Sequence, residues 1–332
     1  MTENQKHLVT ITAGELMDRQ LIPRHNVVEG FLPSGTFILS GQPKIGKSFL
    51  MLMLCWCVAE GKPFLGFETR KSEVLYLTLE DTDARIQERL ARMLDTDWEG
   101  TNLHLTFRTT LSGDELIQQL ENFVFEHPET RLIVIDTLFL ARAGGDSVAY
   151  SYASDYKDIR PFKLFTDIHD LALILVHHTN RKPDDGNPFN LISGTNGLLG
   201  AADGGFVLRA EQEKRFLHCI GRDLPIQHHE IRFDSDSCRW EIIRSCKSSF
   251  EPAPDPLLDW IDAIIEEQWQ GTASDLLQSI KQLIPETDLK PNTLTRRLNP
   301  LTARLEQEKG IIYRCSRNSE RRTLLFTRKT TE

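Results

Sequence analysis

Gly41 to Ser48 reads GQPKIGKS, a spacing suited to holding phosphate. In this pattern Gly41, Gln42, Pro43, Lys44, Ile45 and Gly46 form a loop whose backbone N–H groups face the phosphates. Lys47 reaches the β/γ-phosphates and Ser48 ligates Mg²⁺ through its hydroxyl. The loop reads phosphate and not the base; ATP and Mg²⁺ are the expected cofactors. Arg131-LIVI-Asp136 places a carboxylate at the end of an apolar run, where ligands of parallel sheets collect, so Asp136 is expected to hold Mg²⁺ through water. Glu80 closes a second such run, LYLTLE, and is the expected base that polarises an attacking water. Its rival Asp81 is read instead as a cap for a helix beginning near Asp83. His177 and His178 close LALILV, and a polar tip there can sense the γ-phosphate or serve only to pack or cap.

These residues need strands and helices to bring them together. Thr36 to Ser40 is a β-rich run, and Lys47 to Glu60 continues as a helix-length apolar segment after the loop. The alternation repeats with strands at Glu73 to Thr78, Leu103 to Phe107, Arg131 to Asp136 and Leu171 to His177. Helices are expected between them at Asp83 to Asp95, Gly113 to Glu126 and Tyr150 to His169. Apolar strands separated by helices specify an α/β fold with a mostly parallel sheet covered on both faces. Four further β-like runs between Gly205 and Ile243 lack intervening helices and read as antiparallel strands at the sheet edge. Glu251-Pro-Ala-Pro-Asp-Pro256 has a linker's composition. The expected organisation is thus a leader 1–26, an ATPase core 27–250, the linker 251–256 and a small domain 257–332.

The chain has 332 residues, a formal net charge of −9 and an ordinary globular composition, which argues against a globally basic nucleic-acid protein. Its opening has no apolar signal segment and no later stretch would span a bilayer, so a cytoplasmic protein without a membrane partner is expected. The six cysteines show no metal spacing and are expected as reduced, mostly buried thiols. From Gly271 onward 12 Lys/Arg face 7 Asp/Glu, making the tail electrostatically distinct. There a helix from Leu257 to Glu267 precedes a second capped by Thr272 or Ser274. A third is opened by Pro291 and runs to about Glu308, and a hairpin turns around Ser316 to Arg322. Three helices followed by a hairpin is the winged-helix order.

The PK-x-GKS loop, the glutamate after the second strand, the Asp136-Thr137 strand end and the Val176-His-His-Thr strand end occur in a characteristic order. Ile192-Ser-Gly-Thr-Asn-Gly-Leu-Leu-Gly-Ala-Ala-Asp203 and Gly221-Arg222-Asp223 follow. From Val27 to Ile243 the chain resembles the RecA-fold ATPases of the RepA-like hexameric replicative helicase group found on plasmids, phages and other mobile elements. The resemblance implies Lys47 and Ser48 for phosphate and Mg²⁺, Glu80 as catalytic glutamate, Asp136 as Walker B acid and His178 as sensor. It also implies a homo-oligomeric ring, expected to be a hexamer, in which a neighbour's Arg222 completes the nucleotide site; its alternative is a surface salt bridge. Loops at the ring centre would grip single-stranded DNA, with Arg142, Arg181 and Lys182 as phosphate contacts or simply solvated charges. Asp184 and Asp185 argue against a strongly basic second loop. Arg296, Arg297, Arg321 and Arg322 suit duplex DNA, against the alternative of a replication partner or subunit contact. The implied function is an ATP-driven single-stranded-DNA translocase or helicase for a mobile element; the alternative is a nucleotide-switched DNA-binding regulator, loader or recombination mediator.

Overall fold

The computed structural model describes residues 10–21, 24–94, 98–109, 113–138, 152–178, 187–192, 197–247, 255–317 and 322–329. They form two compact units, one of Arg24–Phe250 and the other of Met1–Pro23 with Glu251–Glu332. In chain order the elements begin with α1 (Ala13–Met17), β1 (Asn26–Val28), β2 (Leu32–Pro33), β3 (Gly35–Gly41), α2 (Lys47–Glu60) and β4 (Glu73–Thr78). Next come α3 (Asp83–Met93), β5 (Leu103–Thr106), α4 (Asp114–Glu126), β6 (Thr130–Asp136), α5 (Tyr152–His169) and β7 (Ala172–His178). The larger unit closes with α6 (Gly197–Ala201), β8 (Gly204–Glu211), β9 (Lys214–Gly221), β10 (Gln227–Asp234) and β11 (Arg239–Lys247).

Among the described residues these strands build a nine-stranded sheet in the order β11-β10-β9-β8-β3-β7-β6-β4-β5. The six strands from β8 to β5 run parallel, and β9, β10 and β11 extend one edge antiparallel. The alternation of side chains explains why the parallel strands are apolar throughout. Phe37, Leu39, Tyr76, Val134 and Val176 face one core; Ile38, Leu77, Ile133, Ile135 and Leu175 face the other. With both faces covered, no position is left for a polar stripe. Helix α2 is buried from Leu50 through Ala59 and is apolar on all sides, as a helix enclosed by its own domain must be. No described helix is long and apolar enough to cross a membrane. Cys55, Cys57, Cys219 and Cys238 are unpaired and buried.

The smaller unit continues with α7 (Pro256–Ile264), β12 (Gln268–Gly271), α8 (Ala273–Leu283), α9 (Pro291–Leu298), α10 (Thr302–Lys309), β13 (Ile311–Arg317) and β14 (Arg322–Arg328). Leu258, Ile261, Leu276, Ile280, Leu298 and Phe326 share its core. Thr272 caps α8 in a reciprocal capping box with Asp275. Helix α7, expected to reach Glu267, ends at Ile264, and two further differences appear. The helix opened by Pro291 does not continue to Glu308: it stops at Leu298, and a 3₁₀ turn at Asn299–Leu301 precedes α10. Pro300 supplies no N–H for an unbroken helix. The strand β12 was not expected, because QWQG is short and polar; pairing with β14 and packing of Trp269 on Phe326 at 5.8 Å hold it. Helix α1 belongs to this unit: Gln20 donates from Nε2 to the Tyr313 carbonyl at 2.5 Å and accepts from the Cys315 N–H at 2.6 Å.

Candidate functional site

The GQPKIGKS loop joins β3 to α2, at the C-terminal end of a central parallel strand. Lys44 and Gly46 both adopt positive φ, at 65° and 106°, which turns successive backbone groups into the concave form that binds anions. A Cβ at position 46 would lie 2.6 Å from Cζ2 of Trp240, so glycine is required by both torsion and space. Gly41 ends β3, Ile45 is buried beneath the loop, and Gln42 accepts from the Ile45 N–H at 3.4 Å. Gly46 has no side chain to cap α2, so the first-turn N–H groups remain to face an anion.

Lys47 is 6 % exposed, and its Nζ donates to the carbonyls of Gly41 at 2.8 Å and Gln42 at 3.1 Å. Burial lowers its pKa, while the charges of Asp136 and Glu80 oppose that shift. Asp136, at the end of β6, is also 6 % exposed. Its Oδ2 accepts from Ser48 Oγ at 2.7 Å and from the Tyr76 hydroxyl at 3.1 Å. Burial raises the Asp136 pKa, and these two hydrogen bonds and the Lys47 charge pull against it.

Glu80 is exposed two residues beyond β4. The register sets Thr78 opposite Asp136, and the Leu79 N–H donates to the Asp136 carbonyl at 2.8 Å, which fastens the segment carrying Glu80 beside the Asp136 strand end. Asp81 does not cap α3. Thr82 does, accepting from the Arg85 N–H, while Asp81 is gripped by Arg89 at 2.5 and 3.2 Å. The helix starts one residue later than a cap at Asp81 requires, which frees that carboxylate for the arginine.

The residues fit a magnesium nucleotide. Ser48 and Asp136 place two hard oxygen donors side by side, as Mg²⁺ prefers. The Lys47 ammonium is held by loop carbonyls that phosphate oxygens can replace. Two contributors were not legible in the sequence. Tyr76 lies in an apolar strand and is fully buried; its need for a hydrogen-bond partner was the available signal. Trp240, from β11, packs against Gly46 and had no local signal at all.

His177 and His178 end β7, opposite Ser40 and Gly41 of β3; the His178 side chain lies outside the described residues. Arg142, Arg181, Lys182 and Arg321 also lie outside them. Arg222 follows β9 and is 58 % exposed; its guanidinium lies 4.0 Å from the buried Asp203 and donates to the Gly200 carbonyl at 3.4 Å. Asp203 also accepts from the Thr36 N–H at 3.0 Å and pairs with Lys163 at 2.8 Å. In the smaller unit the tail arginines meet acids: Arg296 and Arg322 lie 3.3 and 3.6 Å from Asp18, and Arg297 lies 2.7 Å from Asp255.

Comparison with known proteins agrees with this arrangement. Residues 2–184 match the family model described as AAA domain (AAA_25). Among solved structures, one described as an ATPase domain is similar at 14 % identity and TM-score 0.52, covering 64 % of this chain and 85 % of its own. A DnaB-like replicative helicase, solved to show its interactions with primase, is similar at 13 % identity and TM-score 0.51, covering 62 % and 58 %. These likenesses establish a RecA-like α/β fold. No curated protein matches the sequence.

Proposed function

Because the chain belongs to the AAA domain family, we propose that it is an ATP-hydrolysing, ring-forming motor that translocates on single-stranded DNA as a helicase. The observation that carries this reading is the convergence at one sheet end of Lys47, Ser48 and Asp136, with Glu80 one residue beyond the Leu79 N–H that is bonded to the Asp136 carbonyl. A nucleotide sensor needs the phosphate loop and a magnesium acid; the added Glu80 supplies a base for hydrolysis.

Each residue has a role in this reading. The loop amides and Lys47 bind the phosphates, while Ser48 and Asp136 hold Mg²⁺, whose chemistry is to neutralise charge on the phosphate oxygens. Glu80 orients a water and accepts its proton. His178, whose strand ends beside Gly41, senses the γ-phosphate and passes its presence to the segment that follows. Arg222 serves a neighbouring subunit's site, and Arg142, Arg181 and Lys182 contact the DNA strand. The likeness in fold to a solved ATPase domain and to a DnaB-like replicative helicase supports a replicative setting, and the RepA-like motif order extends it to a mobile genetic element.

The smaller unit, with its helices and a hairpin joined by β12, is read as a winged helix. The pairing of Arg296 and Arg322 with Asp18 favours a contact role for this unit, and duplex binding would require these cations to exchange partners. ATP hydrolysis with and without single-stranded DNA tests the main proposal, with Glu80→Gln as the blank. Stimulation of several-fold, with directional displacement of a duplex, is expected. Slow turnover indifferent to DNA would replace the motor with a nucleotide-switched regulator.

A further inference from the structure

At the opposite end of the strands from the phosphate loop, three side chains without a role above converge. Glu73 opens β4, His104 is the second residue of β5, and His127 caps the C-terminus of α4. His127 Nδ1 lies 3.2 Å and His104 Nε2 lies 3.7 Å from the same Glu73 Oε1. One ligating atom from each residue falls within 4.8 Å of those of the other two. A tetrahedral ion with bonds of about 2.0–2.2 Å needs donor atoms roughly 3.3–3.6 Å apart, so the two carboxylate–imidazole separations already bracket that edge.

Two observations show more than a chance ion pair. His104 Nε2 is buried and has no hydrogen-bond partner among the described residues, although it is aimed at the carboxylate. An orphaned buried nitrogen is costly, and a metal ion satisfies it. Both rings are also held in place. Phe123 stacks on His127 at 4.4 Å and meets His104 edge-on at 5.3 Å. The His127 carbonyl accepts from the Thr130 N–H at 3.1 Å and its hydroxyl at 2.7 Å, which fixes the turn into β6.

We propose that Glu73, His104 and His127 form a binding site for a divalent transition-metal ion of the Zn²⁺ class, which ties β4 and β5 to the end of α4. Two imidazoles and one carboxylate favour such an ion over Mg²⁺ or Ca²⁺, which take oxygen ligands. The three side chains are 23, 28 and 29 % exposed, so the ion can enter and water can complete the fourth position. The role is structural, since the cluster sits away from the phosphate loop and does not depend on the motor reading.

The test is a titration of untagged, chelator-treated full-length protein with Co²⁺, read by visible absorbance, followed by displacement with Zn²⁺. Thermal unfolding is measured in parallel. One equivalent of Co²⁺ giving four-coordinate bands, displaced by Zn²⁺, and a Zn²⁺-dependent rise of several degrees in unfolding temperature are expected. His104→Asn, His127→Gln and Glu73→Gln should each weaken binding by tenfold or more while unfolding cooperatively without metal. Wild-type protein that takes up no stoichiometric ion, or variants that all bind as wild type does, would overturn the site.

Discussion

Arg222→Ala tests whether the nucleotide site is shared between subunits. Gly221 lies opposite Gly204, which in turn lies beside Phe37, so Arg222 leaves the sheet near the start of β3. The phosphate loop begins at Gly41, about five strand residues or roughly 16 Å away, beyond an arginine's reach. Arg222 therefore cannot serve its own loop, and any part it takes in hydrolysis has to be at a neighbour's site. Its hold on Asp203 is long, at 4.0 Å, and comes from an exposed guanidinium, while the buried Asp203 keeps Lys163 as a partner at 2.8 Å; releasing it costs about 1 kcal/mol. An arginine supplied in trans contributes on the order of 10³–10⁵ in kcat, or about 4–7 kcal/mol. Steady-state ATPase of Arg222→Ala should fall by that factor with nucleotide affinity little changed. Mixed one to one with Glu80→Gln, about a quarter of the interfaces in randomly assembled rings join an intact Glu80 to a partner's intact Arg222. The mixture should regain up to roughly 25 % of wild-type rate if sites act independently. Wild-type hydrolysis by Arg222→Ala alone would refute the role in trans, as would a mixture as inactive as its components.

Tyr76→Phe keeps the buried ring and removes the 3.1 Å hydrogen bond that orients Asp136; a bond to a charged acceptor contributes about 1.5–3 kcal/mol to stability, so the unfolding temperature should fall by several degrees. With the variant still folded at the assay temperature, a fall in kcat/KM for magnesium nucleotide of about tenfold is expected; unchanged kinetics would remove Tyr76 from the site. Asp136→Asn should abolish Mg²⁺-dependent hydrolysis yet stabilise the nucleotide-free protein by on the order of 1 kcal/mol at neutral pH. Burial raises the Asp136 pKa, so the folded state disfavours the ionised carboxylate. The penalty is absent below the ordinary carboxylate range, where both states are protonated, and grows as pH rises through the folded pKa. Thermal unfolding from pH 4 to 8 should show the gap between variant and wild type widening with pH; a variant less stable at pH 8 would contradict it.

The features carried by the sequence alone are those encoded within one element. GQPKIGKS, the apolar runs ending in Asp136 and Glu80, and the strand–helix alternation made the parallel core and its phosphate loop legible. Each depends on spacing over a few residues and on side-chain periods that survive without knowledge of neighbours. The cap of α8 was legible to within Thr272 or Ser274 for the same reason, and the structure gives it to Thr272. Tertiary structure decided what depends on register and on segments far apart in the chain. It brought Tyr76 to Asp136 across β4 and β6, set Trp240 of β11 against Gly46, and gave Asp81 to Arg89 rather than to a helix cap. It also gathered Glu73, His104 and His127 from two strands and a helix end, and enlisted the polar QWQG run as β12. Such pairings have no local pattern, because their partners are chosen by the simultaneous burial of both sheet faces and the satisfaction of buried polar groups, which only the folded chain imposes.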